Sequence, residues 1–369
     1  MRIIQLLPNL NEGGVERGVV DLNKKFIDLG IDNIVMSNGG RLVKNIVSDG
    51  GKHIEFDLSS KNILTLISRV IKLRKLLKEL SPDILHVRSR VPAWLVYFAN
   101  KGLNIKVVST VHGFNSVNAY SKIMVKADKI ICGSKFMIDH IIKNYGAQKD
   151  KIYLIPRGID EDYFNNQGID ESYVKELIEK HDLNDKILIS QIARITHWKD
   201  QETTIKAINI LKDKIPNIRL LLVGSYSEDR ESYYSQLIKL IKENTLEENV
   251  IFVGFTDKIK EILSITNINI SSSFKPETFG RANVEGMFLG VPLVATNIGA
   301  TSDYVVESKT GYFFNPKDFI DLSNKIQKVL ETNFDKEFIC NFARENFTLA
   351  SMVEKNLEVY NSLVKKDKN

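Results

Sequence analysis

The chain has 369 residues, 43% hydrophobic and 26% charged, with two cysteines and a net charge of +5. That composition suits a globular chain of two domains rather than one ordinary core. No apolar run approaches the roughly 20 residues that a membrane-spanning helix needs, the longest being residues 91–99. Cys132 and Cys340 lie in distant segments without ligand-like spacing, so both read as reduced packing residues of a cytoplasmic protein.

The first ten residues predict a strand at 3–7 and lack the small-residue cleavage site of a secretion signal. Asn11-Glu12-Gly13-Gly14-Val15-Glu16-Arg17 follows and opens a helix with Val15, Val19, Leu22 and Phe26 on one face. Adjacent glycines let a ligand approach the backbone where helix amides point outward, although the same pair also suits a tight turn. Further strands are predicted at 34–37, 84–87, 106–111, 129–132 and 153–155. Between them, residues 61–80 form a basic amphipathic helix with Arg69, Lys72, Arg74, Lys75 and Lys78 among leucines and isoleucines. It reads either as a sheet crossover with a solvated face or as a surface for anionic lipid. His86, Arg88 and Arg90 follow the strand at 84–87 and are candidates for meeting an anionic acceptor. His112 and Gly113 end the strand at 106–111; such a histidine either bonds a sugar hydroxyl or is a satisfied polar group. Asp160-Glu161-Asp162 has the spacing of a metal-binding acidic triplet, but next to the polar stretch at 165–170 it reads as a turn.

Beyond that stretch, strands are predicted at 187–192, 219–223, 250–253, 268–271, 293–295 and 312–314, with Ile205, Ile208 and Leu211 marking one intervening helix. Most are continuous apolar runs, as parallel strands covered on both faces require. The strand–helix rhythm of a doubly wound sheet thus occurs twice. The predicted class is α/β: two doubly wound domains, residues 1–165 and 166–345, facing across a cleft, with a terminal helix at 346–368 crossing back to the first. Residues 1–160 carry 25 basic against 14 acidic side chains, a net of +11, and the remainder 26 against 32, a net of −6. The basic half suits a phosphorylated or lipid-linked partner. Nucleic acid is disfavoured by the lack of a zinc-ligand, aromatic RNA-binding or recognition-helix pattern.

In such sheets ligands bind beyond the carboxyl ends of strands. Arg194 and Lys199 fall in the loop after the strand at 187–192, where two cations can grip a diphosphate and stabilise a leaving group. Glu277 and Glu285, separated by seven residues, bracket Phe279, Gly280, Arg281 and Ala282 at a predicted helix entrance. Acceptors for hydroxyls at two depths with an amide-lined anion site between them would suit a hexose, a diphosphate and a ribose. No His/Cys cluster is present, so no obligatory metal is expected.

Taken in order, these motifs resemble the retaining glycosyltransferases of family 4, also called group 1, which have the two-Rossmann GT-B fold. The pieces are Gly13-Gly14-Val15-Glu16, His112-Gly113, Ile155-Pro156-Arg157-Gly158-Ile159-Asp160, Arg194 with Lys199, Val223-Gly224, Glu277 through Glu285 with Gly290 and Pro292, and Thr310-Gly311 with Asn315-Pro316. The resemblance implies that Glu277 contacts donor-sugar hydroxyls and Glu285 the ribose. Amides around Phe279, Gly280, Arg281 and Ala282 would cradle the diphosphate, with Arg194 and Lys199 stabilising it as it leaves. Gly14 would approach the phosphate, His112 the transferred sugar, and Glu16, Arg88 and Arg90 would lie on the acceptor side. The sequence departs from the family pattern at Ala193 and Asp200, which replace two glycines of the phosphate loop, at Arg157, which replaces a common asparagine, and at Ala300 and Asp303, which replace a glycine and a glutamate after Gly299. The expectation is a cytoplasmic hexosyltransferase without cofactor, moving sugar from a nucleoside-diphosphate donor to a glycan or lipid-linked hydroxyl of an envelope polysaccharide, with an anionic membrane surface as a further partner. A soluble acceptor, an epimerase on the same fold, and a binding protein with a decayed site remain as alternatives.

Overall fold

The computed structural model describes residues 1–11, 13–226 and 230–364. Glu12, part of the first glycine motif, and residues 365–368, expected in the terminal helix, lie outside them. The chain divides into two compact units: Met1–Asp160 together with the segment from Thr348 onward, and Glu161–Phe347.

The first unit has seven strands, β1 (Arg2–Leu6), β2 (Asp32–Ser37), β3 (Lys52–Glu55), β4 (Ile84–Val87), β5 (Lys106–Val111), β6 (Lys129–Cys132) and β7 (Ile152–Leu154). All pair in parallel in the order β3-β2-β1-β4-β5-β6-β7. Leu73, Leu77, Leu95, Met137 and Ile141 cover one face from three crossover helices. Leu22 and Phe26 from helix Gly14–Asp28, with Met352, Tyr360 and Leu363 from helix Leu349–Val364, cover the other. The second unit has β8 (Ile187–Ile192), β9 (Ile218–Val223), β10 (Val250–Gly254), β11 (Ile268–Ser271), β12 (Leu293–Thr296) and β13 (Gly311–Phe314), parallel in the order β10-β9-β8-β11-β12-β13. Its core is built by Ile205, Ile208, Leu237, Leu322 and Ile326 on one face and by Leu177, Leu183 and Ile262 on the other. Both sheets wind outward from their first strand in two directions, so each has one reversal point: β1/β4 in the first unit, β8/β11 in the second. Loops diverge there and leave room for a ligand.

Three expectations change. The edge strand β3 has the sequence Lys-His-Ile-Glu and partly exposed side chains, so it offers no apolar run by which to find it. The helix expected at 61–80 starts only at Leu66, because Asn62 organises a turn instead: its side-chain oxygen accepts from Leu64 N and its carbonyl from Thr65 Oγ1. The terminal helix expected from 346 is two helices, Lys336–Phe347 and Leu349–Val364. They part at Thr348, which bridges to Ile159, while Leu349 N donates to the Ile159 carbonyl at 2.8 Å.

That crossing depends on Gly158. A Cβ there would lie 2.4 Å from Leu349 Cα and 2.7 Å from the Thr348 carbonyl oxygen, both backbone atoms that cannot turn aside. Gly158→Ala is expected to lower unfolding stability by about 2 kcal/mol, the order of an over-packed core site. Urea unfolding measures it, and a wild-type midpoint would show the crossing to be loose.

Candidate functional site

In the second unit the loops after β8 and β11 meet at the reversal point. After β8 the chain runs through Ala193 to a short 3-10 turn, His197–Lys199. Gln191 Nε2 and Ser272 Oγ each donate to the Lys199 carbonyl at 2.8 Å, and Ser272 Oγ also reaches the Asp200 carbonyl at 3.0 Å. With its backbone fixed from two strands, Lys199 extends along the Trp198 ring, with Nζ 4.6 Å from the ring centroid, and stops 2.6 Å from Glu277 Oε1. Ser273 Oγ donates to the same oxygen at 2.7 Å. Lys199 and Glu277 are only 15% and 14% exposed. Burial alone would raise the Glu277 carboxyl, but the Lys199 charge and the two donors outweigh it and hold the group below its ordinary range. Glu277 is itself anchored through its backbone. Its carbonyl accepts from Ala300 N at 2.9 Å, and Gly299, at φ 80°, packs so closely that a Cβ would lie 2.5 Å from that oxygen.

Gly280, at φ 77°, caps helix Arg281–Phe288, whose first amides have no intrahelical acceptor. A cavity of about 80 Å³ brings together Lys199, Glu277, Gly280, Arg281 and Ala282. Other candidates sit apart. Glu285 is buried one turn into the helix and takes the Arg281 guanidinium at 2.6 Å. The Phe279 side chain packs edge-on against Tyr304 and Phe347, leaving only its backbone for a ligand. Arg194 is exposed, does not line this cavity, and accepts Gln201 Nε2 at its carbonyl.

The two glycine replacements have local explanations. Asp200 adopts the left-handed conformation a glycine would supply, φ 54° and ψ 50°, and its carboxylate caps helix Gln201–Leu211 through Thr203, 2.7 Å from Thr203 Oγ1. Ala193 is not among the positive-φ residues, so its backbone conformation does not call for a glycine.

In the first unit Gly14 starts its helix beneath the Arg157 guanidinium; a Cβ there would lie 2.1 Å from Arg157 Nη1. Arg157 Nη2 donates to His112 Nδ1 at 3.2 Å, which leaves the ring proton on Nε2. That Nε2 is buried without a hydrogen-bond partner among the described residues. Burial, then the Arg157 and Arg88 charges, hold His112 neutral, well below the ordinary histidine value. Arg88 is buried, donates to Gln5 Oε1 at 2.5 Å and Thr110 Oγ1 at 3.4 Å, and is lowered by burial to about 10. Arg90 binds Ser121 Oγ and lies over the Tyr120 ring. Glu16, Arg88, Arg90 and His112 share a pocket of about 230 Å³; Gly14 lines a smaller one with Arg88, His112 and Arg157.

One candidate is corrected. His86 cannot meet an acceptor: it is fully buried, with Nδ1 2.5 Å from Tyr360 Oη and Nε2 2.7 Å from Thr110 Oγ1, tying the last helix to the sheet. The acidic triplet is a turn, with Asn165 Nδ2 donating to the Asp162 carbonyl at 2.7 Å. Among the described residues no group of three or more His, Cys, Asp or Glu side chains is arranged to hold a metal. Sequence reasoning missed Ser273 and Gln191, though the run of three serines closing the apolar β11 was a visible signal.

Two Rossmann-like units, each with polar groups gathered where its strand order reverses, define the architecture of GT-B glycosyltransferases. Residues 12–163 match the model of Glycosyltransferase Family 4 and residues 172–345 that of Glycosyl transferases group 1, and the chain belongs to this family. A glycosyltransferase crystal structure from Rickettsia africae is 31% identical, with 99% of this chain and 98% of that one covered, at a TM-score of 0.91. Anabaena HepE, solved in complex with UDP, shares the fold at 21% identity and TM-score 0.86, with 98% and 100% covered. By sequence, the uncharacterized glycosyltransferase MJ1069 of Methanocaldococcus jannaschii is 28% identical over 66% of this chain and 60% of its own length. The capsular polysaccharide biosynthesis glycosyltransferase CapM of Staphylococcus aureus is 27% identical over 72% and 70%.

His86 and His112 are both held below the ordinary value of 6.5. Below that pH the unfolded chain binds more protons than the folded one. Stability from these groups is therefore constant above it and falls as pH drops, by up to about 1.4 kcal/mol per pH unit per histidine. Urea midpoints at about pH 7.5 and about pH 5.5 should separate for the wild type and separate less for His112→Asn, which has no proton to gain. Equal separations would show that His112 is not held neutral.

Proposed function

We propose that the protein transfers a hexosyl unit from a nucleoside-diphosphate sugar to a hydroxyl acceptor, with retained anomeric configuration, at the cytoplasmic side of a membrane during envelope-polysaccharide assembly. The observation that carries this reading is the Lys199–Glu277 pair beside the N-terminus of helix Arg281–Phe288. The CapM likeness supports the polysaccharide context.

A departing diphosphate develops negative charge, and fixed positive groups that need no rearrangement stabilise it best. Lys199 Nζ and the first amides of helix Arg281–Phe288 are such groups. Arg194 joins them if its exposed side chain turns toward bound donor. Glu277 accepts from sugar hydroxyls and, through Lys199, keeps the ammonium aimed. Glu285 is assigned to the ribose, His112 Nε2–H to a hydroxyl of the transferred sugar, and Glu16, Arg88 and Arg90 to the acceptor. No cofactor and no metal is required by this scheme.

Retention often proceeds through a covalent intermediate on a carboxylate. Glu277 suits that role poorly, because Lys199 and Ser273 hold its charge at 2.6 and 2.7 Å. Front-face substitution fits better. The acceptor oxygen bonds to the anomeric carbon as the glycosidic oxygen–carbon bond breaks, and the leaving diphosphate takes the acceptor's proton.

Lys199→Gln keeps a donor to Glu277 and removes the charge. Turnover should fall about a hundredfold or more in a variant that still folds, at a lower melting temperature because the buried carboxylate loses its counter-ion; turnover at the wild-type rate would remove the mechanism. Thermal-shift screening with UDP-, GDP- and ADP-sugars identifies the donor, since a ligand of the folded state raises the melting point. An inverted anomer in the product, read by NMR, would refute retention. Loss of turnover in excess chelator would refute the metal-free scheme.

A further inference from the structure

Helix Leu66–Leu80 presents an unusual outer face. Ile67 and Ile71 are 73% and 63% exposed, and in the preceding turn Ile63 and Leu64 reach 80% and 91%. Single exposed aliphatic residues are ordinary, whereas four adjoining ones at this level mark a contact surface. They are also held in place. Asp57 Oδ1 accepts from Ser59 N and Ser60 N, Ser60 Oγ from Asn62 N, and Asn62 Oδ1 from Leu64 N. Arg69 is buried beneath this turn and donates to the carbonyls of Ser60 at 2.9 Å and Asn62 at 3.1 Å. A turn braced from within by a buried guanidinium keeps two aliphatic side chains directed outward.

The charges sort accordingly. Arg69 is spent inside, and Arg74 turns to the carbonyls of Ala99 and Lys101. Lys61, Lys72, Lys75 and Lys78 remain exposed around the ridge, with Glu79, 3.8 Å from Lys75, the one acid among the exposed residues of this helix. Ile67, Ile71, Lys75 and Lys78 share one line along the helix, apolar at its start and cationic at its end.

We propose that this ridge docks the first unit onto an anionic lipid bilayer, with Ile63, Leu64, Ile67 and Ile71 entering the acyl boundary and the lysines meeting headgroup phosphates. A protein partner fits less well, because protein interfaces favour Tyr, Trp and Arg and disfavour Lys, and this ridge has the opposite composition. Aliphatic residues ringed by lysine match what anionic lipid surfaces bind. No described helix is long and apolar enough to cross a membrane, so the contact is peripheral. The turn follows the carboxyl end of β3, on the same sheet edge as Gly14, Arg88 and His112. Docking there brings that edge toward the bilayer, which deepens the proposed use of a lipid-linked acceptor and rests on that reading only for the acceptor.

Sedimentation with vesicles of phosphatidylglycerol and phosphatidylcholine, against phosphatidylcholine alone, tests it. Wild type should pellet with the anionic vesicles. A variant with Ile63→Ser, Leu64→Ser, Ile67→Ser and Ile71→Ser should lose about tenfold or more in partitioning at an unchanged melting temperature. Lys72→Gln with Lys75→Gln and Lys78→Gln should lose a similar factor at low salt and less at high salt. The idea is overturned by failure of wild type to pellet, by pelleting of the serine variant at the wild-type level, or by a wild-type dimer that the serine variant converts to monomer, which would make the ridge a self-association surface. Absence of transfer to any acceptor would remove the proposed activity and leave the vesicle result standing.

Discussion

A lysine ammonium held 2.6 Å from a glutamate carboxylate, both largely withdrawn from water, organises the second unit around its strand-order reversal. Such a pair contributes little net stability, since desolvation offsets most of the attraction, and a well-packed apolar pair of the same volume would serve the fold as well. Its surroundings are nevertheless elaborate. Gln191 and Ser272 clamp the Lys199 carbonyl, Ser273 supports Glu277 from the side, and the Gly299–Ala300 turn fixes the glutamate backbone. Four separate polar contacts to hold one marginally stabilising pair make sense when position is the function. A fixed cation beside open helix amides is a preorganised electrostatic site.

The same logic appears in the first unit with different groups. Arg157 crowds Gly14 and donates to His112, so the only proton left on that ring faces away from its partner, buried and unpaired. An unsatisfied buried donor costs roughly 1–3 kcal/mol. Arg157, in place of the common asparagine, is thus more than a sequence variation: it donates to Nδ1, leaving the hydrogen of His112 on Nε2, and its charge adds to the burial that chiefly keeps the ring neutral.

Much of this was legible in the residues. Continuous β-branched runs gave eleven of the twelve predicted strands within a residue or so of their ends, and Asp32–Ser37 began two residues earlier than expected. The motif order anticipated that Lys199, Glu277, Gly280, Arg281 and Ala282 would gather in one place. What was hidden follows from how each signal arises. The polar edge strand Lys52–Glu55 buries too little to leave an apolar trace. The burial of His86 depends on Tyr360, 274 residues away, and no local pattern encodes that contact. Asp200 looked like damage to a glycine loop because composition cannot report a left-handed backbone that aspartate also tolerates.

The basic helix shows most clearly how a sequence pattern can be right in outline and misleading in detail. Five cations among leucines and isoleucines suggested one charged face, whereas the fold turns two of them inward to brace backbone carbonyls and pushes aliphatic residues into solvent in their place. The first unit therefore inverts the ordinary distribution twice: Arg69 and Arg88 are buried, and Ile63, Leu64, Ile67 and Ile71 are not. Burying a guanidinium is unfavourable unless its donors are paired, and exposing aliphatic surface is unfavourable unless something covers it. Arg88 pairs its two terminal nitrogens with Gln5 and Thr110, while its Nε has no hydrogen-bond partner among the described residues. For the aliphatic ridge no partner exists among the described residues, and a buried arginine braces the turn that carries it.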